Sequence, residues 1–99
     1  MHIQARLLLT DELIPHYPDW SHELHARTNS SITAKVNQTT ITLPCRAQCG
    51  DLLNLLAFAA HFGFTDFEIE CLADFNYELA VREVVLCDGY LELSVEKVE

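Results

Sequence analysis

Apolar residues recur along this chain with two periods, roughly every second residue and roughly every third to fourth, and the switches between them divide it into elements. Residues 2–9 alternate apolar and polar and then run apolar, which predicts a half-buried first strand. Thr10 to Tyr17, with Pro15 and Pro18 in a polar setting, reads as a loop. A short helix is expected over residues 18–27, with Asp19 as its N-cap and Trp20 and Leu24 turned inward, ended by Thr28, Asn29 and Ser30. Ile32 to Val36 and Thr39 to Leu43 are β-branched and alternate about Asn37 and Gln38, which predicts a hairpin stopped by Pro44.

Residues 51–62 give the clearest helical signal, with Asp51 as N-cap and Gly63 as stop. That stretch is apolar nearly all round, with Asn54 and His61 as polar exceptions, so it is either buried on two sides or offers an apolar patch to a partner. Phe67 to Leu72 alternates and is expected to be a strand. Asp74 then caps a helix from Phe75 to about Leu86; the competing reading pairs residues 84–87 with 90–93 as a hairpin around Asp88 and Gly89. Leu91, Leu93 and Val95 add a strand on either reading. Strands and helices in this mixture predict one α+β domain over residues 1–99, an open-faced β-sandwich with its helices packed on one side of the sheet.

Composition narrows the class. Apolar residues make up 49% and charged residues 21%, ordinary globular usage. No apolar run reaches the roughly 18 residues of a spanning helix, and residues 1–4 do not begin a signal peptide, so a soluble cytoplasmic protein with no membrane partner is expected. Net charge is −9, and it is placed unevenly: residues 1–49 balance to zero, whereas residues 50–99 set eleven acids against Arg82 and Lys97. Such an acidic half repels phosphate backbones and argues against nucleic-acid binding. Cys45 and Cys49 have three residues between them and form a Cys2His2 zinc set with His22 and His25 only on paper, because no motif links the two pairs. Reduced, mostly buried thiols, no metal and no cofactor are expected. A Gly-rich phosphate loop, a Gly-x-Ser-x-Gly elbow and a His-Glu-x-x-His pair are all missing from the sequence.

Leu24-His25-Ala26-Arg27 resembles the phosphorylatable motif of HPr, the histidine-containing phosphocarrier family of the sugar phosphotransferase system. The hairpin expected at 32–43, the Leu-rich helix at 51–62, Gly63, the strand from Phe67 to Leu72 and the acidic segment from Asp74 follow the order of that family, so the resemblance spans about residues 24–87. It implies an HPr-like open-faced sandwich on an antiparallel sheet. It further implies that His25 accepts a phosphoryl group through a ring nitrogen and passes it on, with Arg27 pairing the phosphate; this is carriage and not enzymatic turnover. Imidazole is a competent transient nucleophile and guanidinium forks onto phosphate oxygens. Asp51 falls where many members carry a regulatory serine, and Leu52, Leu55, Leu56 and Phe58 correspond to the partner-docking face, where phosphotransferase-system-like proteins would bind. The chain departs from the family after Arg27, where Thr28 replaces Pro, and the strand expected at 32 leaves no room for the family's helix of about three turns. A helix before His25 would put that residue at a C-terminal end, which disfavours phosphate. The second reading is therefore a degenerate module of the same fold that binds or regulates a protein without being phosphorylated. The all-round apolar character of residues 51–62 predicts an exposed contact patch there, most simply for a homodimer or a docking face.

Overall fold

The computed structural model of the chain describes residues 2–10, 12–15, 17–74 and 78–98. Five strands form one curled mixed sheet in the order β2-β1-β5-β4-β3. They are β1 (Ile3–Leu9), β2 (Thr40–Leu43), β3 (Leu52–Asn54), β4 (Glu78–Cys87) and β5 (Tyr90–Lys97). The helices are α1 (His22–Gln38), α2 (Ala59–Phe62), preceded by a 3-10 turn over Leu55–Phe58, and α3 (Asp66–Asp74). The α+β class is as expected. The sheet is mixed and not antiparallel, because β1 and β5 run parallel, Ala5 beside Leu91 and Leu9 beside Val95.

β1 forms where alternation predicts it: Ala5, Leu7 and Leu9 are buried and Gln4, Arg6 and Leu8 are exposed. β5 buries Leu91, Leu93 and Val95 in the same rhythm. These rows join Ile41 and Leu43 of β2, Leu79 and Val81 of β4 and Ile32 and Val36 of α1 in one core.

α1 is where the expectation fails most. Ser21 and not Asp19 caps it, its hydroxyl accepting the Leu24 N–H at 3.1 Å. The helix runs straight through Thr28, Asn29 and Ser30 and takes the first arm of the expected 32–43 hairpin. His25, Thr28, Asn29, Ile32 and Val36 are its buried residues, spaced by three and four, and this face outweighs the β-branched character of Ile32 and Val36. Only the second arm is a strand, and β2 pairs with β1 instead, Ile41 opposite Ala5.

Residues 51–62 do not form one helix. Leu52–Asn54 pair with Glu78–Ala80, and helical winding begins only at Leu55, where the Asn54 side chain accepts the Leu56 N–H at 2.9 Å. Gly63 ends α2 at φ +71, as expected. The expected strand Phe67–Leu72 is α3, and the helix expected after Asp74 is β4 from Glu78 on; its residues 75–77 lie outside the described residues. β4 and β5 form the competing hairpin, with Cys87 opposite Tyr90 and the turn at Asp88 and Gly89. Among the described residues no helix is long and apolar enough to cross a membrane.

Candidate functional site

His25 sits in the first turn of α1 and not at a helix C-terminus, so the dipole objection to phosphate disappears. Burial takes its place. The side chain is only 3% exposed and points into the loop that joins β1 to α1. Its Nε2 lies 2.8 Å from the Ile14 carbonyl oxygen. The carbonyl only accepts, so this contact is a hydrogen bond when Nε2 carries the ring proton, whereas Asn29 Nδ2, 3.0 Å from the same nitrogen, bonds to it when Nε2 is bare. Asn29, one turn on, donates from Nδ2 to the same carbonyl at 3.2 Å, while its Oδ1 accepts the N–H groups of Leu13 and Ile14 at 3.1 and 3.0 Å. Two side chains one turn apart thereby satisfy three main-chain groups of a loop that has no ladder of its own. The Glu12 carboxylate lies 4.0 Å from Nε2 at the rim. Beside this knot a groove of about 360 Å³ runs between the loop and α1, lined by Thr10, Glu12, Ala26, Asn29, Ser30, Thr33 and Ala34.

Arg27 is not part of it. Two positions along a helix turn the side chain through about 200°, so Arg27 and His25 face apart. Arg27 is exposed and lines a second groove with Leu24, Thr28, Ser31, Thr65, Phe67 and Glu68. The floor of that groove is a buried carboxylate. Glu68, 4% exposed, accepts from Ser31 Oγ at 2.8 Å, from Thr65 N–H at 2.9 Å and from the Lys35 ammonium. Burial pushes its pKa up, but the bonds from Lys35, Thr65 and Ser31 outweigh burial and hold the carboxyl below its ordinary range. Glu68 is an ionised anchor between α3 and α1. Sequence reading missed it, although Thr65-x-x-Glu68 is a capping-box pattern that announces the start of α3.

Asp51 does not cap a helix. Its carboxylate accepts the Gln48 N–H at 2.8 Å across a turn closed by Asp51 N–H to Gln48 C=O. The four expected docking residues are split by the strand-to-turn break: Leu52 is 57% exposed, Leu55 is wholly buried, and Leu56 and Phe58 are half-buried. Leu52 and Phe58 do line one mostly apolar hollow of about 230 Å³ with Leu43, Pro44, Ala47 and Leu53.

Cys45 and Cys49 are exposed and free, contrary to the mostly buried thiols expected, while Cys71 is buried. Burial and the nearby carboxylates of Asp74, Glu70 and Glu68 push the Cys71 thiol up, which makes it a poor nucleophile. Among the described residues no three His, Cys, Asp or Glu side chains converge to hold a metal.

No protein-family model, curated protein or solved structure matches the chain.

Proposed function

We propose that this chain is an HPr-related binding module that engages a protein partner and is not phosphorylated on His25. The observation that carries this reading is the setting of His25: the ring is buried and its Nε2 is enclosed by the Ile14 carbonyl at 2.8 Å and Asn29 Nδ2 at 3.0 Å. Phosphorylation at Nε2 would displace both contacts and confront the Glu12 carboxylate, and at either ring nitrogen it would bring a doubly charged group onto a ring that is 3% exposed. Arg27, which the family resemblance would set against the phosphate, opens onto a different groove. The hollow around Leu52 and Phe58 is the docking face this reading favours, since it is mostly apolar, partly exposed and includes two of the four residues that the resemblance assigns to partner contact. The order β1, α1, β2, β3 and helix through Phe62 is the support for relation to the family, with α1 supplying a three-turn helix after Arg27; the parallel β1–β5 pair and the helix at Asp66–Asp74 depart from what the resemblance implies.

One observation favours the carrier reading instead: His25 lies in the first turn of α1, where the helix dipole favours an anion. A single experiment separates the two. The chain is incubated with phosphoenolpyruvate and a general phosphotransferase enzyme, and its intact mass is read beside that of His25→Ala. We expect no added phosphate on either. An acid-labile phosphate on the parent chain that is lost in His25→Ala would overturn the binding-only reading.

A further inference from the structure

β4 is ten residues long, but β3 covers only Glu78, Leu79 and Ala80 of its outer edge. The turn at Gly50 and Asp51 extends that cover by one residue: Val81 donates to Asp51 C=O and accepts from Gly50 N–H, both at 2.8 Å. Beyond it the Cys49 thiol donates to Arg82 C=O at 3.0 Å. From Glu83 to Cys87 no strand lies alongside, among the described residues. The sheet edge therefore has a notch about 15–20 Å long at 3.3 Å per residue. It exposes the apolar run Val84, Val85 and Leu86, of which Val85 is 46% and Leu86 65% exposed. Unpaired edges are templates for added strands, and proteins usually blunt long apolar ones.

The bonding pattern fixes which main-chain groups are open. Both polar groups of Val81 face β3, so Val81 and its opposite, Val95, are not bonded to each other. One extra residue is inserted before Glu83, which faces Ser94. Counting on, Glu83, Val85 and Cys87 bond to β5, and the N–H and C=O of Val84 and Leu86 point out of the sheet. An incoming antiparallel strand must meet those two residues with residues of the same kind. For a second copy of β4 this leaves three registers: Val84 opposite Val84, Val84 opposite Leu86, or Leu86 opposite Leu86. Only the middle one pairs the open segment Glu83–Cys87 with itself over its whole length, stopping where the Cys49 thiol covers Arg82 and where the turn at Asp88 begins, and it leaves Arg82 of each copy next to Asp88 of the other at the two ends. It also sets Glu83 opposite Cys87, so no like charges meet, and places Val85 beside Val85 on the two-fold axis.

We propose that two copies of this chain associate through the open edge of β4, antiparallel and centred on Val85, to form a continuous ten-stranded sheet. Val84 of each copy exchanges both main-chain bonds with Leu86 of the other, giving four bonds, and the exposed Leu86 packs beside Val84 of the second copy. Arg82, already 3.1 Å from Glu96 in its own chain, gains Asp88 of the other copy as a second acid. The short β3 is what admits the partner: a longer strand there would occupy the notch.

The test is sedimentation of the full chain from about 10 µM to about 1 mM, the range in which weak association registers, at about 0.15 M salt to screen the net charge of −9 on each copy. We expect a monomer–dimer equilibrium that Leu86→Lys weakens about tenfold or more, with an unchanged circular dichroism spectrum, since Leu86 is exposed. Register is read by crosslinking in a chain carrying Cys45→Ser, Cys49→Ser and Cys87→Ser. Non-bonded antiparallel pairs bring Cα atoms within disulfide range, so Val85→Cys oxidises to a covalent dimer and Glu83→Cys does not. A monomer throughout, a dimer untouched by Leu86→Lys, or equal crosslinking at both positions would each overturn the proposal.

Discussion

Asn29 and Glu68 show what single side chains do in a small domain with irregular connections. Asn29 takes the Leu13 and Ile14 N–H groups and returns a hydrogen bond to the Ile14 carbonyl, so one amide tethers the loop between β1 and α1. Asn29→Ala strands two buried donors; we expect a loss of about 2–3 kcal/mol, read by urea denaturation. Glu68 makes a different prediction. Its carboxyl is held below the usual range in the folded chain, so its contribution is complete above the unfolded value of about 4.3 and is lost as pH falls through the lower, folded value. Glu68→Gln should cost about 1–3 kcal/mol at pH 7, and the gap between variant and parent should close in acid. Denaturation midpoints measured from pH 7 downward check both parts; a gap constant with pH would show that Glu68 is not ionised in the fold. His25 was legible from the sequence as a residue to watch, through the Leu-His-Ala-Arg motif. Its burial was not, because Ile14 and Asn29 reach it through a loop whose path no local pattern encodes.

Elements were legible where one periodicity had no rival. β1, β2, β5 and the stop at Gly63 form as their patterns predict, whereas the sequence offers the Asp88–Gly89 hairpin only as the competing reading beside a helix from Phe75 to about Leu86. The errors share a cause. Ile32 to Val36 and Phe67 to Leu72 alternate, yet Ile32 and Val36 also stand four apart and the apolar residues of 67–72 three and four apart, and tertiary burial chose the helical face. Thr65 decided the second case: its hydroxyl accepts the Glu68 N–H at 3.2 Å while Glu68 returns to the Thr65 N–H. Thr65→Ala should lower the melting stability by about 1 kcal/mol through loss of this cap; an unchanged thermal melt would place the start of α3 elsewhere. Residues 51–62 misled for the converse reason, since a stretch dominated by Leu and Ala, with few polar residues to set a period, hides the three residues that a neighbouring strand recruits. The turn before them depends on Gly50 at φ +96, where nothing lies within 4 Å of an added Cβ. Gly50→Ala should therefore cost about 1–2 kcal/mol from backbone conformation alone, and Gly50→Asn less; calorimetry of the two variants tests the order.

Across the whole molecule the central pair of the sheet joins its two most distant strands: β1 lies between β2 and β5, and Ala5 meets Leu91. A chain emerging from the ribosome presents β1 long before β5 and must hold Leu7 and Leu9 without their neighbours Leu93 and Val95 until residues 90–97 clear the exit tunnel. Neither the α1 face nor the short β2 closes the core alone, so the nascent domain cannot fold by halves and its apolar strand stays open to chaperones until β5 emerges. Premature termination anywhere before β5 should accordingly yield not a weakened domain but an unfolded one. A chain ending at Asp88 should show collapsed amide protection in every element, β1 and α1 included, when hydrogen exchange is followed by mass spectrometry.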